Sequence, residues 1–341
     1  MSSMHLTQAR PSSTLVRGMM STTPSAYRTH QSREAAGFFV SVAFVGLAAV
    51  RDVYLGGLFQ RVNPLFVATV AFSLCTLVLL PQTLARSRDS LAVLQRRSRA
   101  LLWVNVTSAV AWLAFLGALK LIEPSLVQIL YSGIGPLSVV WIDRLASGAA
   151  PAVPLTRSER LIYFALVGSL ILAAAVALCG LSGAGVQPVS VTALGVVLAT
   201  GGGVSISLST MQCRVLNDAG VTPSALLSLR YPATALSAAV LASLSPAGLP
   251  AALSWVDAFM AIASLLIIVP SYVNQVAISL ASPLTVRVVL ATGPALIFLL
   301  QLVEGRLSAS PYSLAAATLY AVVAISAGFA RQHAVRSTSP V

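Results

Sequence analysis

Residues 123–145, EPSLVQILYSGIGPLSVVWIDRL, indicate the architecture of the whole chain. This stretch carries no charge between Pro124 and Ile142, and about 20 apolar residues in a helix cross a hydrocarbon layer of roughly 30 Å. Polar and small residues recur in it at steps of three and four and therefore share one helix face. They are Ser125, Gln128, Tyr131 or Ser132, Gly135 and Ser138. We expect this face to meet other helices or internal water, because lipid tails offer polar groups no partner.

The composition predicts an all-α polytopic membrane protein. Of the 341 residues, 57% are hydrophobic and 9% charged, whereas soluble globular chains carry roughly 25% charged residues. The net charge of +12 comes from arginines spread between apolar runs, which favours a topology signal over a nucleic-acid partner. The bilayer is thus the expected partner, and nothing indicates an oligomer. The three cysteines and three histidines form no metal-ligand or disulfide pattern, so we expect neither a metal nor a cofactor.

The chain divides into two tails and ten apolar segments. Residues 1–36 are expected to be a disordered cytoplasmic tail, with an organellar transit peptide as the alternative. Residues 331–341 form the second tail. The ten predicted membrane helices lie near 37–58, 64–84, 100–121, 124–143, 160–181, 190–213, 223–244, 255–278, 282–303 and 309–330.

The loop charges predict the orientation. Loops on one side of the predicted membrane carry most of the arginines, and the other side holds only Arg61, Lys120 and Arg306. The positive-inside rule therefore puts both termini in the cytoplasm. We expect a plasma membrane, or the inner membrane of a bacterium.

An internal repeat is visible in the prolines that open the segments. Pro64 and Pro223 open the second and seventh segments, and Pro124 and Pro283 open the fourth and ninth at the same interval. Five is an odd number, so two five-helix halves, 37–181 and 182–330, enter the membrane from opposite sides. Such an inverted repeat is typical of secondary transporters.

These features resemble the drug/metabolite transporter superfamily. The resemblance covers roughly residues 37–330 and rests on ten helices in two halves, proline-initiated fourth and ninth segments with a central Gly-Pro, and Glu304 after the ninth. It implies that the third, fourth, eighth and ninth helices help to line a central cavity. It also implies a substrate among metabolites, amino acids, nucleotide sugars, sugar phosphates and drugs.

Candidate substrate contacts follow from the polar residues of those segments. Arg287 in the ninth segment is the repeat counterpart of Gln128 in the fourth, and its guanidinium suits a carboxylate or phosphate. The alternative is that Arg287 reaches the membrane interface. The full set of predicted substrate residues is Gln128, Tyr131, Ser132, Arg287, Asn105, Trp112, Tyr272 and Gln275.

Other charged residues in or beside the segments leave alternatives open. Asp52 and Glu123 are candidates for proton coupling, since a carboxyl group can take up and release a proton. Asp52 follows Arg51, but neighbours on a helix point about 100° apart and need not pair. Asp52 alternatively has a static interfacial role near the outer end of the first helix, and Glu123 alternatively forms an exposed or interfacial pair with Lys120. Arg230 either lines the cavity or forms a structural ion pair or interfacial contact.

The predicted function is secondary active transport of a small metabolite, an anionic one among them, or of a drug by alternating access. A lipid flippase on the same architecture is one alternative. A polytopic membrane enzyme is another, but no segment carries a histidine, a metal-ligand motif or a nucleophile motif, so we expect no enzyme.

Overall fold

The computed structural model describes residues 24–147, 157–245, 256–281 and 283–338. Every regular element among these residues is a helix. The helices are α1 Pro24–Leu58, α2 Pro64–Arg86, α3 Arg88–Arg96, α4 Ser98–Leu121, α5 Pro124–Ser147, α6 Arg157–Leu178, α7 Val189–Asp218, α8 Pro223–Arg230, α9 Pro232–Ser243, α10 Val256–Leu280, α11 Pro283–Leu290, α12 Gly293–Glu304 and α13 Pro311–Thr338.

Seven helical stretches within the described ranges are long and apolar enough to cross a membrane, judged by length and composition. Two shorter apolar stretches, Val288–Glu304 and Pro311–Ala327, add to them. Large apolar side chains cover the outside of these helices, as Leu77 and Phe164 illustrate at 69% and 74% exposure. An apolar exterior of this kind suits lipid and not water. The prediction of a helical protein is confirmed, and its long apolar helices are compatible with a multi-pass membrane protein.

Prolines begin the helices where the sequence predicts them. Pro64, Pro124, Pro223 and Pro283 are each the first residue of a helix. Proline suits this position because its missing N–H would have no intrahelical acceptor there. The Asn63 side chain accepts a hydrogen bond from Leu65 N at 3.0 Å and caps α2 in addition.

Two of the predicted segments are broken helices. The seventh is α8 and α9, separated at Tyr231 before Pro232, and the ninth is α11 and α12, separated just before Gly293-Pro294. Pro136, by contrast, lies inside α5, which continues past it as one helix.

Hydrogen bonds join loops and helix ends at each of the two ends of the bundle. At the first end, Gly183 N, in the turn after α6, and Ser313 of α13 both bond to Glu123, which precedes α5. At the second end, Thr222 N, before α8, donates to Ser90 Oγ of α3 at 3.2 Å. Proline-led α5 therefore starts at the first end and α8 at the second.

The main helix contacts join elements that are distant in the chain. α4 packs chiefly along α7, and α10 packs chiefly along α1. α5 also packs on α7, as α11 and α12 do on α1. The largest buried core draws on α1, α2, α4–α10 and α13, and it includes the aromatic residues Trp112, Phe115 and Tyr231 of the candidate site.

Candidate functional site

The candidate site contains an ion pair between two neighbouring residues of α1. Arg51 Nε lies 2.7 Å from Asp52 Oδ1, and the two residues are 5% and 0% exposed. The sequence left open whether these neighbours pair, and in the structure they do, because the long Arg51 side chain bends back over Asp52. Asp52 Oδ2 has no hydrogen-bond partner among the described residues.

Aromatic rings surround this ion pair. The Arg51 guanidinium carbon lies 5.3 Å from the ring centroid of Trp112 and 5.3 Å from that of Phe115, both on α4. Stacking on ring faces stabilises a guanidinium by about 0.5–2 kcal/mol per ring. The ring centroid of Phe115 lies 4.7 Å from that of Tyr131 on α5, and the ring centroid of Trp112 lies 6.4 Å from that of Tyr231. The rings therefore join α1, α4, α5 and the break between α8 and α9.

A second arginine lies at that break. Arg230 is 5% exposed, so the interfacial alternative does not describe it. Its Nε donates to Ser108 Oγ at 2.8 Å and its Nη2 to Ser209 Oγ at 3.1 Å. Its guanidinium carbon lies 5.4 Å from the centroid of the Tyr231 ring. No acidic side chain pairs with Arg230 in the described part of the chain, so two serine hydroxyls and one ring face take the place of a counter-ion.

Asn105 holds the helix break in place. Its Nδ2 donates to Leu229 O at 2.7 Å, and its Oδ1 accepts from Ala233 N at 3.3 Å. Residues 229 and 233 would bond to each other in a continuous helix. The Asn105 amide thus replaces one missing helical hydrogen bond across the Tyr231-Pro232 kink, and it fixes where Arg230 and Tyr231 lie.

We call Arg51, Asp52, Ser108, Trp112, Phe115, Tyr131, Ser209, Arg230 and Tyr231 the central cluster. Two arginines and one aspartate give it a formal charge of +1 within the described residues. An uncompensated charge away from water is costly. The cluster is therefore suited to holding an anion.

Of the predicted substrate residues, the structure brings Trp112 and Tyr131 into the central cluster, and Asn105 supports it from the helix break. Ser132 bonds instead to Tyr320 of α13, with 3.0 Å between the hydroxyl oxygens. Tyr272 is 44% exposed and stands apart from the cluster rings.

Of the remaining predicted residues, Gln128 lies beside the second helix break and Gln275 lies in α10. Gln128 is half-buried, and its Oε1 has no hydrogen-bond partner among the described residues. A Cβ on Gly293, at the start of α12, would lie 4.0 Å from Gln128 Nε2. Gln275 is 1% exposed, with no described partner for either amide atom. The side chain of Arg287 lies outside the described residues.

Glu123 lies at the first end of the bundle and is 1% exposed, whereas Lys120 is exposed. The expected exposed pair of these two residues is therefore wrong. Glu123 Oε1 accepts from Ser125 Oγ at 2.6 Å and Gln301 Nε2 at 3.0 Å. Its Oε2 accepts from Gly183 N and Ser313 Oγ, both at 2.8 Å. Because its four donors come from four parts of the chain, Glu123 holds these segments together at the first end of the bundle.

Two open cavities of about 210 and 330 Å³ flank this end and share Gln60 and Arg306 in their walls. No group of three or more metal-ligating side chains occurs within the described residues.

Sequence reasoning missed Ser209 and Phe115 altogether. The available signal was an arginine inside an apolar segment, because such a charge needs polar or aromatic partners on neighbouring helices. Ser209 is one residue of the hydroxyl-rich run SISLST in α7, and the pattern does not single it out.

Comparison with known proteins supports the fold. No family model matches the chain, and no curated protein matches it. Twelve chains of solved structures do match. One of them, described only as "Crystal structure of protein", superposes with a TM-score of 0.58 at 20% sequence identity, over 91% of this chain and 99% of that one. At this identity the likeness concerns the fold alone.

Proposed function

We propose that the chain is a secondary active transporter that moves a small metabolite across a membrane by alternating access. Its ten segments cross the bilayer as two inverted five-helix halves of the drug/metabolite transporter type. Both termini face the cytoplasm, and the membrane is a plasma membrane or a bacterial inner membrane.

The arrangement of the helices supports the inverted repeat. Pro124 opens α5 at the first end of the bundle, and Thr222 and Pro223 open α8 at the second. The partner of α4 is α7 and the partner of α10 is α1, which is the exchange that a two-fold axis in the membrane plane requires. Two halves related in this way can rock about a site between them.

The broken helices support a substrate site at the centre. Transporters of this kind place discontinuous helices beside the bound solute, because unwound backbone and helix ends supply polar groups in mid-membrane. One break ends at Tyr231 of the central cluster, and the other begins beside Gln128.

The single observation that carries the proposal is Arg230. A buried guanidinium held by two serines, with no acid beside it in the described residues, is an expensive feature for a static scaffold. A solute that brings a negative charge removes this cost when it binds. An anionic metabolite is therefore favoured over a neutral drug.

The test is uptake into proteoliposomes that contain the purified protein. Labelled solutes from each metabolite class are offered singly, with Arg230→Gln as the site variant and Arg306→Gln as the control. Saturable uptake that Arg230→Gln abolishes and Arg306→Gln leaves intact supports the proposal. Translocation of lipid headgroups or a covalently altered product, without net solute uptake, contradicts it.

A further inference from the structure

The two arginines of the central cluster have unused donors. A guanidinium carries five N–H groups. Arg230 uses Nε and Nη2 on its serines, and Arg51 uses Nε on Asp52. No acceptor within the described ranges bonds to Nη1 of Arg230 or to either Nη of Arg51. Each guanidinium thus keeps its outer edge, formed by its two Nη groups, available for a bidentate acceptor.

The free edge suits one acceptor chemistry in particular. A carboxylate presents two oxygens in one plane, and it pairs with the fork of an arginine through two parallel hydrogen bonds. The serine hydroxyls hold the adjacent edge of Arg230, formed by Nε and one N–H of Nη2, so the guanidinium plane is set before a ligand arrives. This preorganisation avoids part of the ordering cost of binding.

The charge of the cluster limits the charge of the ligand. With Arg51, Arg230 and Asp52 all ionised, the cluster carries +1. A monoanion brings the total to zero, while a neutral ligand leaves +1 and a dianion creates −1 away from water. Because uncompensated charge is costly in a low-dielectric site, the monoanion is the favoured ligand.

The surroundings favour an apolar ligand body. Trp112, Phe115 and Tyr231 are 7%, 2% and 2% exposed, and Phe72 packs against Tyr231 with 4.7 Å between ring centroids. Planar unsaturated groups stack on such rings, with centroids about 4.5–7 Å apart. Small inorganic anions have no apolar body that could stack on these rings.

We infer that the central cluster binds a small organic monocarboxylate with a planar apolar body, its carboxylate on the free edge of Arg230 and its body against the aromatic rings. That this ligand is also the transported solute rests on the proposed function. The binding itself does not.

The test uses Trp112 as the reporter in full-length protein. Trp103, Trp141 and Trp255 are replaced by Phe, which leaves Trp112 as the one tryptophan of the chain. Its fluorescence is titrated with benzoate, its neutral isostere benzamide, the dianion phenyl phosphate at pH 8 and acetate, which has no ring. We expect a saturable response to benzoate, with Kd values for the other three probes at least about tenfold higher.

Variants then locate the carboxylate. Arg230→Gln is expected to weaken benzoate binding at least about tenfold and to leave the benzamide response unchanged. Arg306→Gln, at the first end of the bundle and outside the central cluster, is expected to leave both unchanged. Equal affinity for benzoate and benzamide overturns the inference, and this comparison needs only the Arg230-containing protein. Benzoate binding that survives Arg230→Gln also overturns it.

The two proposals fail in different ways. If benzoate gives no saturable response while proteoliposomes accumulate some other solute, the monocarboxylate inference is wrong and the transporter proposal stands. If benzoate binds as expected and no solute enters the vesicles, the ligand class stands and the transporter proposal is wrong.

Discussion

Replacing Glu123 by Gln should loosen the first end of the bundle. The carboxylate accepts from Ser125 and Gln301 on one oxygen and from Gly183 and Ser313 on the other. A glutamine places an NH₂ group where one of these oxygens lies. Whichever way the amide turns, this group faces an N–H donor, that of Gly183 or that of Gln301. Turning the Gln301 amide over does not relieve the mismatch, because its Oε1 accepts from Ser125 N at 2.8 Å and that donor would then lose its acceptor.

The cost follows from these contacts. One N–H donor loses its acceptor while buried, and the remaining bonds change from charge-assisted to neutral. Together these changes destabilise the fold by about 2–4 kcal/mol. The matched control is Glu304→Gln at the same end. Glu304 is paired with Arg306 at 3.2 Å, but their side chains are 27% and 30% exposed, and such a pair contributes only about 0–1 kcal/mol.

Thermal unfolding in detergent with a thiol-reactive dye measures the difference. Cys75 and Cys213 are buried and react when the fold opens, while exposed Cys179 gives a constant background. Glu123→Gln should lower the midpoint by several degrees and Glu304→Gln should leave it near the wild-type value. Equal midpoints for the two variants would refute the role of Glu123 in holding the segments of the first end together.

Three further predictions concern the helix break, the site charge and the orientation. Asn105→Leu removes both hydrogen bonds across the break and should lower the free energy of unfolding by about 1–3 kcal/mol. The control Asn274→Leu loses no hydrogen bond to a described residue and should lower it less, so equal midpoints in the dye assay would refute this prediction. Asp52→Asn raises the charge of the central cluster from +1 to +2 and should improve phenyl phosphate binding relative to benzoate binding in the fluorescence titration. An unchanged ratio of the two Kd values would contradict this prediction. An impermeant maleimide should label Cys179 on intact cells and reach Arg88→Cys only after permeabilisation, and the reverse pattern would invert the orientation.

Local chemistry made the helix starts predictable. A proline at the first helical position needs no distant partner, so Pro64, Pro124, Pro223 and Pro283 mark their helices from sequence alone. The behaviour of internal prolines depends on neighbours instead. α5 continues past Pro136, while the chain breaks at Pro232, where Asn105 from α4 meets the freed backbone groups.

The sequence shows that arginines inside apolar segments need partners, but it does not show which partners they have. An arginine within an apolar segment signals a functional or structural contact, and both Arg51 and Arg230 are indeed buried. The serines of Arg230 come from positions 122 and 21 residues away in the chain, which periodicity within one segment does not reveal. Glu123 shows the same limit, because its position in a short turn suggested exposure while its donors Gly183 and Ser313 lie 60 and 190 residues away.

Counterflow in proteoliposomes detects alternating access itself, because it requires one site to face each side of the membrane in turn. Vesicles are loaded with unlabelled benzoate and diluted into a trace of labelled benzoate. We predict a transient accumulation of label above equilibrium in the wild type and in Arg306→Gln, and none in Arg230→Gln. Accumulation of equal size in Arg230→Gln would contradict a transport site at the central cluster, and so would its absence in the wild type after benzoate binding has been measured.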